Sequence, residues 1–185
     1  MEELVNNLRY TYNDYEKWED GVRYELIDGF PYMMSSPSMN HQRLIGRLFV
    51  QFWMFLQGKS CEVFLSPFDV RLNADEGDNI VVQPDLVIVC DRSKLNGKCC
   101  VGAPDMLIEV LSPSSSKLDK HIKLQKYQKY GVREYWIVDP DSNTIQAFTL
   151  ANGLYIIKSY SDEDIAPVGI LDGCEINLKE VFAEL

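Results

Sequence analysis

Two short apolar runs in the middle of this chain each carry one acidic side chain. Asp85 lies in Val81-Val82-Gln83-Pro84-Asp85-Leu86-Val87-Ile88-Val89 and Glu109 in Met106-Leu107-Ile108-Glu109-Val110-Leu111. Taking an ionised carboxylate out of water is costly, so such groups are seldom buried unless paired or bound to a metal. Both runs are short and bounded by polar or glycine-containing segments, and the first is rich in Val and Ile, so each reads as a strand. Alternation then puts Gln83, Asp85, Val87 and Val89 on one face, and Asp105, Leu107, Glu109 and Leu111 on one face of the second. Neighbouring strands could therefore juxtapose Asp85 and Glu109. Two carboxylates meeting there raise each other's pKa unless a divalent cation or a lysine between them favours the ionised forms, and oxygen ligands of this kind suit Mg²⁺ or Mn²⁺.

The rest of the chain supplies a frame for these strands. Thr11 to Trp18 reads as a short helix capped by Thr11. Arg23–Ile27 and Phe30–Met34 flank Asp28-Gly29, a dipeptide suited to a two-residue hairpin turn, and Ser35–Ser38 is the loop after it. From Asn40 to Gln57, Leu44, Ile45, Leu48, Phe49, Phe52, Trp53 and Leu56 recur at spacings of three and four, giving an amphipathic helix stopped by Gly58. Strands Cys61–Leu65 and Phe68–Leu72 surround Ser66-Pro67, and Asn73–Asn79 is a polar loop. After the acidic strands, the turn Ser112–Ser116 leads into a helix to Tyr130 with Gly131 as its stop. Glu134–Val138 is a strand, Asp139–Asn143 a turn, and Thr144–Leu150 with Leu154–Tyr160 a second hairpin; an acidic tail closes the chain. This order predicts an α/β (α+β) protein, one domain over residues 1–185, built on a mixed sheet flanked by helices. Trp53 and Trp136 read as core residues.

Composition narrows the function classes. No stretch is long and apolar enough to span a bilayer, and the acidic start Met1-Glu2-Glu3 is unlike a signal peptide, so the expected setting is the cytosol, with no membrane partner. The five cysteines (Cys61, Cys90, Cys99, Cys100, Cys174) are odd in number and form no C-x-x-C, which reads as reduced, structural thiols. The net charge of −10 weighs against a nonspecific nucleic-acid binder. Its distribution softens that objection: Lys117 to Arg133 holds five lysines and one arginine against Asp119 alone, so this stretch carries +5 and the remainder −15.

A resemblance joins these pieces. Gln83-Pro84-Asp85-Leu86, then Ala103 to Ser114 (Ala-Pro-Asp-Met-Leu-Ile-Glu-Val-Leu-Ser-Pro-Ser), Lys123-Leu124-Gln125-Lys126-Tyr127 and Gly131 to Pro140 closely resemble the Uma-two family of the PD-(D/E)XK nuclease superfamily. Tyr24-Glu25-Leu26-Ile27-Asp28-Gly29 and Ser36-Pro37-Ser38-Met39-Asn40-His41 extend the likeness over most of the chain. The resemblance implies a restriction-endonuclease-like fold in which Asp85 and Glu109 hold Mg²⁺ or Mn²⁺, helped by the main-chain carbonyl of Val110. One departure stands out: the superfamily lysine two residues after the acid is here Leu111, so the charge must come from the next helix. At about 100° per residue, Lys123 lies about 40° from Tyr127 and about 20° from Tyr130, on the aromatic face. Lys120 and Lys126 sit to either side as second choices, while Lys117, Lys129 and His121 read as solvated.

The expected activity is metal-dependent hydrolysis of phosphodiesters in nucleic acid, DNA foremost, with Lys123 orienting a water. Glu25 on the hairpin is a candidate further ligand or base, and His41 at the helix start a candidate phosphate contact or proton carrier. Asp119 is read as favouring the helix dipole rather than pairing with Lys123. Asp69 and Asp105 read equally as supporting groups or strand-end turns. By analogy with enzymes that cut both strands of a duplex, a homodimer is the expected assembly. Two other readings compete: a nuclease-fold protein that binds nucleic acid or a protein without cutting, and a hydrolase of small phosphoesters.

Overall fold

The computed structural model describes residues 8–19, 21–113 and 118–184; the readings placed on Met1-Glu2-Glu3, Ser114, Ser115, Ser116 and Lys117 lie outside them. Thr11 opens a one-turn helix, α1 (Tyr12–Tyr15), its N–H and hydroxyl donating to Asp14 Oδ2 at 2.9 and 2.8 Å. β1 (Tyr24–Ile27) and β2 (Phe30–Met33) form the expected hairpin. Asp28 and Gly29 both adopt positive φ, 52° and 81°, the conformation a two-residue hairpin turn requires. Ser38 Oγ accepts the His41 N–H at 3.2 Å and starts α2 (Met39–Leu56). Leu44, Ile45, Leu48, Phe52 and Leu56 form its buried stripe. Trp53 is not core: about 100° round the helix from Phe52, it is 50% exposed.

The run Val81–Val89 is two strands, not one. β5 (Val81–Val82) belongs to a five-stranded sheet with β1, β2, β4 (Val70–Arg71) and β7 (Cys100–Val101), in the order β2-β1-β5-β4-β7. β6 (Leu86–Val89) belongs to a six-stranded sheet. Pro84 has no N–H to give a ladder, so pairing stops there and the chain passes from one sheet to the other. Gln83 and Asp85 lie in that passage and are not on a continuous strand face with Val87 and Val89.

The six-stranded sheet also contains β3 (Glu62–Leu65), β8 (Met106–Val110), β9 (Glu134–Asp139), β10 (Thr144–Ala151) and β11 (Leu154–Ser161), in the order β11-β10-β9-β8-β6-β3. It is mixed, because β8 and β9 are parallel and its other pairs antiparallel. All of β6 and β8 is buried, since both faces of the sheet are covered. Leu86, Ile88, Met106, Ile108 and Trp136 pack with α2; Val87, Leu107, Tyr135 and Ile137 pack on the opposite side with Tyr127. Tyr127 comes from α3 (Leu124–Tyr130), which Gly131 ends at φ 84°. The turns before it, Leu118–Lys123, are π-helical rather than α-helical.

The end of the chain is built structure, not a tail. β12 (Ile165–Pro167) pairs with β13 (Glu175–Asn177), and α4 (Leu178–Val181) follows. Ala166, Val168, Ile176, Leu178, Val181 and Phe182 join the core beside α2. Acidic residues interleave with these apolar ones and hide them from any simple period. The cysteine reading needs a correction too. β3 and β6 pair with Glu62 opposite Val89, which brings Cys61 opposite Cys90, and the two form a disulfide; Cys99, Cys100 and Cys174 are free and buried. No described helix is long and apolar enough to cross a membrane.

Candidate active site

The antiparallel register of β6 and β8 pairs Leu86 with Ile108, so the next position brings Asp85 level with Glu109. Asp85, half-buried, accepts the Val110 N–H on Oδ2 at 2.7 Å. Glu109 is 4% exposed, and its Oε1 accepts from Lys123 Nζ at 2.8 Å and from Tyr127 Oη at 3.1 Å. Lys123 is 3% exposed and also lies 2.8 Å from Glu25 Oε1 and 3.1 Å from Asp119 Oδ1. Glu25 in turn accepts the Gln83 N–H at 2.8 Å, tying the hairpin to the break that holds Asp85. His41 Nε2 approaches Asp85 Oδ2 to 3.2 Å. The structure therefore brings Glu25, His41, Asp85, Glu109, Val110 and Lys123 together from five separate parts of the chain. They line a pocket of about 510 Å³ with Arg23, Tyr32, Ile45 and Leu65 among its walls.

Charge in this cluster is unbalanced. Four carboxylates, Glu25, Asp85, Glu109 and Asp119, surround one lysine and one histidine. Burial pushes the Glu109 carboxyl well above the usual range; Lys123 opposes this, while Asp119, Asp85 and Glu25 reinforce it. Burial works against the charge of Lys123, but Glu109 and Glu25 outweigh it and hold its pKa well above the ordinary value. Burial likewise opposes a charged His41, and the hydrogen bond and charge of Asp85 turn the balance upward. Lys123 is thus a fixed cation in a pocket with a surplus of negative charge.

Asp119 corrects the sequence reading. It is 1% exposed and faces Lys123 one turn away, so it is a buried member of the cluster and not a solvated residue at a helix start. Its pairing was visible as an i, i+4 spacing; its burial was not, because that depends on Tyr135, whose hydroxyl donates to the Asp119 carbonyl at 3.3 Å. The second-choice lysines are engaged elsewhere: Lys126 with Asp28 at 2.6 Å and Lys120 with Asp139 at 3.6 Å. His121 and Lys129 are exposed. Asp69 supports the site indirectly, accepting from Gln83 Nε2 at 2.8 Å. Asp105 caps a strand end, accepting from the Cys90 N–H and Arg133. Sequence reasoning passed over Arg23 and Gln83, which line the same pocket; only the sheet-to-sheet break sets them there.

Two mixed sheets meeting at a buried carboxylate–lysine cluster define the class, a restriction-endonuclease-like α+β protein. The same fold is found in a crystal structure described as a "putative nuclease" from Anabaena variabilis, with a TM-score of 0.76 and 18% identity over 94% of this chain and 97% of that one. A family model described as "Putative restriction endonuclease" matches residues 12–179, and the chain belongs to that family, Uma2. Two uncharacterised proteins of Synechocystis sp. are similar along their sequences. One is 28% identical over 155 residues, covering 82% of this chain and 80% of its own length. The other is 29% identical over 118 residues, covering 62% and 65%. Family and fold together make this a nuclease-family protein.

Proposed function

We propose that this chain is a metal-dependent endonuclease that hydrolyses phosphodiester bonds in nucleic acid, with DNA the expected substrate. The observation that carries the reading is the buried Lys123, 2.8 Å from both Glu109 and Glu25, in the wall of a pocket that Asp85 also lines. Among the described residues no three His, Cys, Asp or Glu side chains already surround a metal-sized centre. Mg²⁺ is commonly held by one or two carboxylates with water and phosphate completing the shell. The donor chemistry fits: Asp85, Glu109 and the Val110 carbonyl are hard oxygen ligands in a cluster with surplus negative charge. Bound there, the ion would polarise the phosphate and lower the pKa of a water.

The chain's own groups would do the rest. Lys123, held between Glu109 and Glu25, would turn its third N–H from Asp119, 3.1 Å away, to the attacking water and so meet the negative charge that builds on the phosphoryl oxygens. Glu25, anchored by the Gln83 N–H, keeps the ammonium on its line toward Glu109. His41, 3.2 Å from Asp85, would hydrogen-bond a phosphate oxygen or pass a proton to the departing one. Were the substrate a duplex, a two-fold dimer would match a two-fold cut.

A non-catalytic nucleic-acid- or protein-binding role is the second reading, favoured by the ion pairs that already occupy Lys123 and by the net charge of −10. Calorimetric titration of Mn²⁺ and Mg²⁺ into the protein and into Asp85→Ala, paired with cleavage of plasmid and single-stranded DNA, separates the two. Binding abolished in the variant together with metal-dependent cutting by the parent is the expected result. Metal binding with no cutting of any nucleic acid would favour the second reading.

A further inference from the structure

Arg23 stands apart from the other cations of the pocket. Lys123 and His41 each face a carboxylate, whereas the partners of Arg23 are neutral. Its Nε and Nη2 donate to Gln83 Oε1 at 3.1 and 2.6 Å, and Nη2 donates to Ser66 Oγ at 2.7 Å. Gln83 is itself held, giving its Nε2 hydrogens to Tyr15 Oη at 2.9 Å and Asp69 Oδ1 at 2.8 Å. The guanidinium is therefore oriented in advance by neutral acceptors, stays exposed, and is in none of the ion pairs among the described residues. A fixed, forked cation of this kind matches a phosphate.

The wall beside it is apolar. Tyr32, Met34, Ile45 and Leu65 line the same pocket, with Leu65 40% exposed, and the β1–β2 register puts Tyr32 and Met34 on the strand face that carries Arg23 and Glu25. An aromatic ring and a polarisable methionine form a surface on which a base can lie, whatever its identity. A duplex has its bases stacked inside and its charge spread along two backbones, and it calls for a wide basic footprint. Among the described lysines of the basic helix only Lys129 is exposed and outside the ion pairs, because Lys120 and Lys126 are taken up by Asp139 and Asp28 and Lys123 is buried. The groups at the bottom of the pocket, Glu109, Lys123 and Asp119, are at most 4% exposed, so a phosphate must enter a recess to reach them.

Resting on the nucleic-acid reading of this pocket, we infer that Arg23 and the Tyr32–Met34 wall form a subsite for one unstacked nucleotide, so that the favoured substrate is single-stranded where it binds. Arg23 holds the phosphate and the wall takes the base. The test is fluorescence anisotropy of a labelled short DNA strand and of its blunt duplex in EDTA, over a salt series, with melting curves confirming that each variant is folded. The parent should bind the strand at least about tenfold more tightly than the duplex. Arg23→Gln should weaken strand binding and lower the salt slope by about one, Arg23→Lys should keep the slope, and Tyr32→Ala should lose the strand preference without changing the slope. Equal or tighter duplex binding, or an Arg23→Gln protein with the parent's affinity and slope, overturns the inference. Adding Mg²⁺ to the same mixtures keeps the two ideas apart. Arg23-dependent strand binding without cleavage sinks the nuclease reading and leaves the subsite standing; cleavage with Arg23→Gln equal to the parent does the reverse.

Discussion

At the scale of single residues, the site turns on one ammonium among three buried acids. Replacing Lys123 with Ala removes the group proposed to meet charge on the phosphoryl oxygens but none of the proposed metal ligands. Metal titration should therefore still give a binding isotherm while single-turnover cleavage slows by about a hundredfold, the scale typical of losing one such donor. Glu109→Gln should act in the opposite sense on stability. In metal-free buffer it relieves the crowding among Glu109, Asp119, Asp85 and Glu25, so urea unfolding in EDTA should show a gain of about 1 kcal/mol, while metal binding is lost. A large loss of stability in EDTA would mean that the Glu109–Lys123 pair holds the fold and the surplus of negative charge is of no consequence. Asp85 and Glu109 were legible in the sequence because a carboxylate within an apolar run has few explanations. Asp119 and Arg23 were not, since a charge on a helix or hairpin looks solvated until the neighbouring sheet is known.

Secondary-structure elements show where local pattern and long-range pairing part company. The hairpin at Asp28-Gly29, α2 and the stop at Gly131 follow from residues within a few positions of one another, and they formed as the pattern implies. The Val81–Val89 run did not stay whole, because Pro84 interrupts a ladder and each half found a different sheet. The Cys61–Cys90 bond belongs here as well. It closes a loop of 29 residues between β3 and β6, and loop-entropy arithmetic gives it about 3–4 kcal/mol. The Cys61→Ser, Cys90→Ser protein should lose that much in urea unfolding under non-reducing conditions, and dithiothreitol should lower the parent to the same level. A parent already insensitive to reductant would show that the bond is not formed. Nothing in the spacing of five cysteines could announce this pair, because it depends on which strand lies beside which.

For the molecule as a whole, the last part of the chain decides more than its composition suggests. Ile176 and Leu178 are fully buried, packed with α2 on the face of the sheet opposite Tyr127. Ile176→Ala should cost about 2–5 kcal/mol, read as a lower urea midpoint for the entire protein. A change under 0.5 kcal/mol, or a separate early transition, would mark this part as an appendage. What the sequence by itself determined is local: the hydrophobic period of α2, the turn chemistry, the existence of strands β9 and β10, and the two acids that water would otherwise claim. The tertiary structure alone decided which acids share a lysine, which cysteines meet, and which arginine is left with neutral partners. The physical reason is that periodicity fixes the direction of a side chain relative to its own element, whereas the field and solvent around it are set by elements far away in sequence.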